Sequence, residues 1–499
     1  MSELTNKKII LDGNSLQLRD VALIAKGAPL AISASARRRV EEARDFVEQA
    51  AQRPSPVYSV NTGFGYYANT AIAHHELQDL QRNLILSHAS GYGPALDTGT
   101  TRLAMALRLN VLLKGVTGVR YLLCEALLKL IEAEIYPIVP EYGSVGASGD
   151  LAPLAHLALA LIGEGNVFYQ GKEMSARSAL KKAGVAPFIL KEKEGLSLIN
   201  GTQIMLSIGS LALYDALELL DKAEKITALT FEGFGGLEPA LDPLVHSVRG
   251  HPGQIESAKR ILRELKGSDL FSPKFKKVRV QDPYSLRCAP QVHGASRDAL
   301  LYAKQVIERE LNAATDNPLV FVGKEKIISG GNFHGQPLAI AFDLASIAVS
   351  ELSNISERRL ELLLNPHLSC LPAFLSPKAG LHSGYMAAQY LSASLVNENK
   401  LLANPSSTDS IPGNVGIEDH VSMGMTSAKK FRKIVENCSV VLGVELLAAS
   451  QAVELRSNKK LGSGTRKTLQ TLRKYVPSLL HDRVISNDVE QSLFALREL

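Results

Sequence analysis

Apolar positions along the chain recur at helical spacing over long stretches. Residues 340–364 contain no proline or glycine, and Leu344, Ala348 and Leu352 fall on one helical face. Asn365 precedes a proline, which predicts the end of that helix, because the residue before a proline avoids the helical conformation. The pattern predicts a helix well above the average length of about 11–12 residues.

Two further stretches show the same periodicity. One runs from about Val421 to Arg456 without a proline, and the other covers about 101–135, with Gly115 and Gly118 tolerated inside it. Helices of this length are typical of bundles, and their apolar stripes can also bury against other subunits.

Strand-like segments are short and lie early in the chain, as “KKIIL”, “PVYSV” and “NVFYQ”. They do not alternate regularly with helices, which argues against a doubly wound α/β fold. We predict a mainly α protein, with a long central helical bundle and a smaller mixed α/β N-terminal part. A break near 195–201 separates residues 1–200 from 201–499, unless the two parts form one continuous unit.

The composition excludes several classes of protein but does not indicate an activity. The 499 residues are 45% hydrophobic and 21% charged, which is typical of a soluble globular protein. The start, “MSELTNKKII”, lacks the apolar core of a signal peptide, no run of 18 apolar residues occurs, and the four cysteines form no C-x-x-C pair. The net charge is +5, and we interpret its one basic cluster, “KFKKVR” near Lys274, as a solvated face. We therefore expect a cytoplasmic protein with neither a nucleic-acid nor a membrane partner.

Several familiar site motifs are matched only in part, because the residues around them do not fit. Gly63-x-Gly65-x-x-Ala68 matches a dinucleotide fingerprint, but no acidic residue follows about 20 positions on, and a tight turn is favoured. “GASGD” has aspartate where a nucleophile elbow needs glycine, and no G-K-[ST] follows for a phosphate loop. No H-x-x-x-H pair with an acidic partner occurs, so we expect no metal site.

The stretch “GSVGASGDLAPLAH”, residues 143–156, permits two interpretations. It can be a glycine-rich loop with Asp150 as the N-cap of the helix that follows. Alternatively, the Gly149 nitrogen attacks the Ala147 carbonyl, and loss of one water there and one from Ser148 leaves 4-methylidene-imidazol-5-one. Glycine has no Cβ to block that attack. The ring is an electrophile made from the chain itself, and the adjacent helix N-terminus would favour negative charge on it. These residues alone leave both interpretations open.

The chain resembles the aromatic amino acid ammonia-lyases, a family that carries this prosthetic group, over roughly residues 8–495. The resemblance implies a helical bundle, an autocatalytic group from Ala147-Ser148-Gly149 with no external cofactor, and a homotetramer whose sites draw on more than one subunit. It is strongest to members that deaminate L-histidine to urocanate. Besides “GSVGASGDLAPLAH”, the matching blocks are “VYSVNTGFG”, “LILSHASG”, “LINGTQ”, “VQDPYSLRC”, “ISGGNFHG”, “ISERR”, “LPAFL” and “EDHVSMG”.

Roles carry over from the family by matching motif. The resemblance implies that Tyr58 does acid–base work on the β-proton and that Arg287 binds the substrate carboxylate, a task suited to a guanidinium fork. It places Tyr284 near the prosthetic group, and Gln281 and Asn200 as amides that hydrogen-bond the ring or the substrate.

Three further positions match the family: one lies near the prosthetic ring, and two indicate the substrate side chain. Phe333 matches an aromatic residue close to the ring, although a core phenylalanine is nearly as good an interpretation. His88, after Ser87, matches members that act on histidine, and it could hydrogen-bond an imidazole. Glu418, in “EDH”, follows the same pattern and would suit an imidazole N–H or the substrate amine.

Three departures from the family pattern keep other outcomes open. Ile417 replaces a residue that is more often polar, Tyr66-Tyr67 replaces smaller residues, and “IPGNVG” at 411–416 is atypical. A 2,3-aminomutase or a lyase for another aromatic amino acid therefore stays an alternative. A helical scaffold without catalysis is a third hypothesis, against which the retained triplet, both tyrosines and Arg287 argue.

Overall fold

The computed structural model describes residues 8–52, 56–273, 275, 279–378, 380–456 and 460–499. Long helices dominate it and strands are short, which confirms the predicted mainly α class. Its α-helices are α1 (Leu18–Ala25), α2 (Ala34–Ala51), α3 (Leu77–His88), α4 (Thr98–Leu112), α5 (Tyr121–Glu132), α6 (Leu151–Leu161), α7 (Ala176–Ala183), α8 (Glu194–Ile199), α9 (Gln203–Phe234), α10 (Pro243–Ser247), α11 (Pro252–Glu264), α12 (Tyr284–Arg287), α13 (Ala289–Glu310), α14 (Gln336–Leu364), α15 (Pro366–Ser369), α16 (Met386–Leu402), α17 (Gly424–Arg456), α18 (Ser463–Arg473) and α19 (Ile485–Glu498).

The strands form small, separate sheets. They are β1 (Ile9–Leu11), β2 (Leu30–Ile32), β3 (Tyr92–Ala95), β4 (Tyr136–Pro137), β5 (Pro140–Tyr142), β6 (Asn166–Tyr169), β7 (Lys172–Ser175), β8 (Leu319–Phe321) and β9 (Lys326–Ile328). β1 pairs with β2 in parallel, and the pairs β3–β5, β4–β6, β6–β7 and β8–β9 are antiparallel. Short 3₁₀ turns include Gly65–Tyr67 and Asn414–Gly416.

The chain packs into two compact units. The first unit comprises Met1–Tyr214, Lys304–Asp343 and Pro405–Lys429, and it holds all the strands named above. Helix α4 lies in its interior, with almost every residue buried, including the polar side chains of Arg102, Arg108 and Asn110. The predicted boundary between residues 200 and 201 divides the sequence into two continuous parts, whereas the two units are each built from several segments. That boundary stays a prediction.

The second unit comprises Asp215–Ala303, Leu344–Asn404 and Lys430–Leu499. Its long helices are cross-linked by one buried carboxylate, Glu445 on α17. Arg359 of α14 donates to Glu445 from Nε at 2.6 Å, and Thr230 of α9 donates from its hydroxyl at 2.7 Å. Because a buried charge is tolerated only when it is paired, these contacts hold the three helices in one register.

Two of the three predicted long helices are confirmed. α14 ends at Leu364, just before Asn365-Pro366, and α17 ends at Arg456 as predicted. The helix predicted over 101–135 is wrong, because α4 stops at Leu112 and α5 starts at Tyr121. Gly115 and Gly118 between them have φ of +73° and +74°, a left-handed conformation that no helix interior adopts.

The early strands are confirmed in part. “KKIIL” contains β1 and “NVFYQ” contains β6, but the strand predicted for “PVYSV” is wrong. Its residues form a turn, in which Ser59 has φ of +63° and donates its backbone N–H to the Thr62 hydroxyl. Most of the basic cluster at 274–279 lies outside the described residues.

Within the part of the chain that the structure describes, three helical segments are long and apolar enough, by length and composition, to cross a membrane. They are Glu194–Phe234, Gln336–Leu364 and Gly424–Arg456, and their most apolar windows are 94%, 67% and 78% buried inside the protein. Burial against other helices accounts for most of this apolar surface.

Candidate active site

A cavity of about 1220 Å³ lies in the first unit, and every residue that lines it belongs to that unit. It brings together side chains from widely separated parts of the chain, including the ends of α3 and α8 and the segment before α17. The lining includes seven of the predicted site residues: Tyr58, His88, Ala147, Ser148, Asn200, Phe333 and Glu418.

The glycine-rich loop is bent tightly against a neighbouring turn. Gly149 has φ of +74°, and a Cβ added to it would lie 2.2 Å from the carbonyl oxygen of Gly201. The same oxygen accepts a 2.7 Å hydrogen bond from the Asp150 backbone N–H. Gly149 therefore meets two independent demands for glycine, its backbone conformation and a contact that leaves no room for a side chain.

Asp150 stands at the N-cap position of α6, as predicted, but its side chain does not cap that helix. Its carboxylate instead accepts from the backbone N–H groups of Ile204 (3.0 Å) and Met205 (2.8 Å) in the first turn of α9, and from the Ser144 hydroxyl. The prediction failed because the start of another helix lies within reach. Burial raises the pKa of Asp150 to about 7, against the lowering effect of these hydrogen bonds.

The three residues expected to form the prosthetic group have surroundings that fit it. The Ser148 hydroxyl donates to Glu418 Oε1 at 3.1 Å, and Asn200 Nδ2 donates to the Ser148 carbonyl at 3.1 Å. The other Asn200 amide atom, Oδ1, is buried and accepts no hydrogen bond from the described residues. A buried acceptor without a donor is costly, but the ring carries no N–H, so the fit rests on the other amide atom. The Ser148 carbonyl would remain as the ring carbonyl, and Asn200 Nδ2 already donates to it.

Arg108 lies beside the turn at Gly201 and was not predicted as part of the site. This fully buried guanidinium donates to the carbonyls of Ser197 (2.7 Å) and Thr315 (2.8 Å) and to Gln203 Oε1 (2.9 Å). Burial lowers its pKa to about 10. These bonds hold the segment around Asn200, and the signal for them in the sequence was an arginine between leucines in the middle of a predicted helix.

The contacts of His88, the last residue of α3, determine which nitrogen of its neutral ring carries the proton. Nδ1 lies 2.9 Å from the carbonyl oxygen of Leu84, which can only accept, and 3.1 Å from the Ser87 hydroxyl. When the ring is neutral, this contact places the proton on Nδ1 and leaves Nε2 as an acceptor.

Tyr58 also borders the cavity, but the described residues do not favour its anion. Its hydroxyl oxygen accepts from the Gly65 backbone N–H at 3.3 Å. Burial raises the pKa of Tyr58, and the nearby charge of Glu418 raises it further, while the Gly65 hydrogen bond opposes both.

Gln281, Tyr284 and Arg287 belong to the second unit. Tyr284 and Arg287 lie on one helical turn, as predicted, with the guanidinium 4.7 Å from the Tyr284 ring centroid. Arg287 Nε donates to the Asp282 carbonyl at 3.1 Å, and the Tyr284 side chain is 70% exposed. Among the described residues, these three are not part of the lining of the cavity.

The cavity wall also holds two histidines that were not predicted. His334 and His420 are stacked, with ring centroids 5.6 Å apart and an angle of 7° between their planes. Within the described parts of the chain, no group of three or more His, Cys, Asp or Glu residues could hold a metal ion.

Comparison with known proteins gives consistent matches over nearly the full length. Residues 16–474 match the family model described as aromatic amino acid lyase. A histidine ammonia-lyase of Alkaliphilus metalliredigens is 49% identical over 486 residues, which cover 97% of this chain and 96% of that protein. The crystal structure of histidine ammonia-lyase from Trypanosoma cruzi matches with a TM-score of 0.92 and 41% identity, covering 99% of this chain and 94% of that one. Tyrosine aminomutase from Streptomyces globisporus matches with a TM-score of 0.93 and 37% identity, covering 99% and 97%.

Proposed function

Because the chain belongs to the aromatic amino acid lyase family, we propose that it is a histidine ammonia-lyase. It eliminates ammonia from L-histidine and releases trans-urocanate, as the first step of histidine degradation in the cytoplasm. The observation that carries the proposal is the placement of His88 and Glu418 in the same cavity as Ser148. A polar pocket of this kind rejects an apolar analogue, because its own groups would be left unpaired.

The prosthetic group is part of the proposal, and the residues around Ala147-Ser148-Gly149 fit it. Asn200 Nδ2 donates to the Ser148 carbonyl, which would remain as the ring carbonyl, and the Gly149 position excludes any side chain. When formed, 4-methylidene-imidazol-5-one supplies an electrophilic carbon that makes the substrate amine a better leaving group.

The chain's own side chains then bind the substrate and move its proton. His88 Nε2 accepts from the substrate imidazole N–H, since Nδ1 is held by the Leu84 carbonyl. Tyr58, once ionised to the phenolate, takes the β-proton on its phenolic oxygen, and the Glu418 carboxylate accepts a hydrogen bond from the imidazole N–H or the amine. Phe333 packs against the substrate ring.

We also propose that the site is completed in a homotetramer. Gln281, Tyr284 and Arg287 then supply an amide, an aromatic ring and a guanidinium for the substrate carboxylate. The exposure of Tyr284 in the single chain supports this, because a large aromatic side chain open to solvent is typical of an interface residue.

A panel of aromatic amino acids with product identification tests the function. We expect L-histidine to be converted to urocanate with kcat/KM at least about tenfold above that for tyrosine or phenylalanine. Preference for either of those substrates contradicts the proposal.

A 2,3-aminomutase is the second candidate. It is supported by the similarity to tyrosine aminomutase and by the atypical segments at 66–67 and 411–417, since the time for which product is retained decides between the two outcomes. A β-amino acid among the products of the same panel distinguishes it from a lyase.

A further inference from the structure

The two segments that depart most from the family pattern contact each other in the first unit. The backbone N–H of Tyr66 donates to Asn414 Oδ1 at 3.3 Å. On the other side, Gly413 and Glu418 form an isolated antiparallel bridge, with hydrogen bonds of 2.7 Å and 3.2 Å between their backbones. The turn 413–418 is thus closed on itself and joined to the turn after Tyr58.

Asn414 is suited to this place by its conformation. Its φ is +49°, a left-handed value that asparagine tolerates better than most residues. Its amide also packs very close to Gly65, because a Cβ built on Gly65 would lie 2.1 Å from Asn414 Nδ2. The contact therefore requires a glycine at position 65, because any larger residue there would clash with the Asn414 amide.

One asparagine side chain links the two proposed catalytic groups. Asn414 Nδ2 donates to Glu418 Oε1 at 3.4 Å, and that oxygen also accepts from Ser148. The turn held by Asn414 Oδ1 includes Gly65, whose N–H donates to the Tyr58 hydroxyl. The amide cannot be reversed, because its NH₂ would then face a backbone N–H and its oxygen would face a carboxylate.

We propose that Asn414 is a positioning residue that sets the placement of Tyr58 relative to Glu418 across the cavity. The expected change in kcat rests on the proposed function, but the expected change in amide hydrogen exchange does not. Small displacements of an acid–base group are costly, so loss of this link lowers kcat more than it changes KM.

The test compares three variants of the full-length protein with the wild type. Asn414→Gly keeps the left-handed backbone at no steric cost and removes the amide. Asn414→Asp keeps an acceptor for Tyr66 but places a second carboxylate against Glu418. Val415→Ala is the matched control, because Val415 also has a positive φ (+55°) and is 82% exposed.

We expect kcat to fall about tenfold in Asn414→Gly and further in Asn414→Asp, with KM within about threefold of wild type. Val415→Ala should stay within about twofold of wild type. Intact mass of every variant should still show the loss of two waters. Equal kcat in Asn414→Gly and Val415→Ala, or loss of that mass deficit in Asn414→Gly, overturns the proposal.

Amide hydrogen exchange separates this inference from the proposed function. Asn414→Gly should exchange faster than wild type at residues 58–68, whereas Val415→Ala should not. If the wild type deaminates no aromatic amino acid, the proposed function fails, and exchange alone decides the role of Asn414. Unchanged exchange at 58–68 overturns that role.

Discussion

Replacement of Gly149 by alanine tests the geometry of the loop most severely. The new methyl group would lie 2.2 Å from the Gly201 carbonyl oxygen, and φ at this residue is +74°. The left-handed conformation costs an L-residue about 1–2 kcal/mol. Relief of the clash must move Gly201 away, which breaks the hydrogen bond from Asp150 N–H and strains that from Asn200 to Ser148.

The two contributions can be separated with a second glycine. At about 0.5–1.5 kcal/mol for each hydrogen bond, the clash adds about 1–3 kcal/mol, for a total of about 2–5 kcal/mol in Gly149→Ala. Gly171 also has φ of +74°, but a Cβ added to it would have no atom within 4 Å. Gly171→Ala should therefore show only the conformational cost of about 1–2 kcal/mol.

Urea unfolding of both variants measures the difference, and intact mass reports the chemistry. We expect a lower unfolding midpoint in Gly149→Ala than in Gly171→Ala, and loss of the two-water mass deficit in Gly149→Ala alone. Equal midpoints, or a retained mass deficit in Gly149→Ala, would show that the contact with Gly201 does not constrain this position.

Three other perturbations address the chemistry and the electrostatics of the site. Ser148→Ala should abolish both the two-water mass deficit and turnover, because the hydroxyl that leaves as the second water is gone; a two-water deficit in this variant contradicts the assignment of the triplet. Because burial and the charge of Glu418 raise the pKa of Tyr58, less of it is ionised at a given pH than of a free tyrosine, and the ionised fraction grows as pH rises. Glu418→Gln should lower that pKa and move the alkaline rise of kcat/KM to lower pH, while Tyr58→Phe should lower kcat by about 10²–10⁴; an unmoved profile in Glu418→Gln contradicts the proposed electrostatic coupling. For Asp150, the folded-state pKa of about 7 lies above the unfolded value, so the folded state holds a proton that the unfolded state has released, and stability falls as pH rises from about 4 to about 7. Asp150→Asn should remove up to about 4 kcal/mol of that fall, measured by urea unfolding at pH values below and above this window; an unaltered pH dependence excludes Asp150 as its source.

Much of this fold was predictable because long apolar periodicity reports burial directly. The helices ending at Leu364 and Arg456 were found in this way. The break between α4 and α5 was not, because Gly115 and Gly118 are tolerated in a helix as sequence and their positive φ follows from packing. Gly118, for example, approaches Val47, where a Cβ would lie 2.3 Å from that side chain.

The candidate site shows the same limit. The loop chemistry could be argued from Ala147, Ser148 and Gly149, because a tight self-attack depends on local residues. The partner of the Asp150 carboxylate could not, because it is set by the approach of α9. Arg108 is 89 residues from Ser197, and only the folded chain brings them together.

Whether this protein deaminates histidine through a group formed at Ser148 can be decided in one assay. The purified protein is incubated with L-histidine and the ultraviolet absorbance of urocanate is followed, with Ser148→Ala in parallel. We expect urocanate and an equal amount of ammonia from the wild type at some pH between about 7 and about 10, the ordinary pKa of tyrosine, and neither product from the variant. Absence of urocanate from the wild type across that range would exclude the proposed activity, and its formation by Ser148→Ala would exclude the proposed prosthetic group.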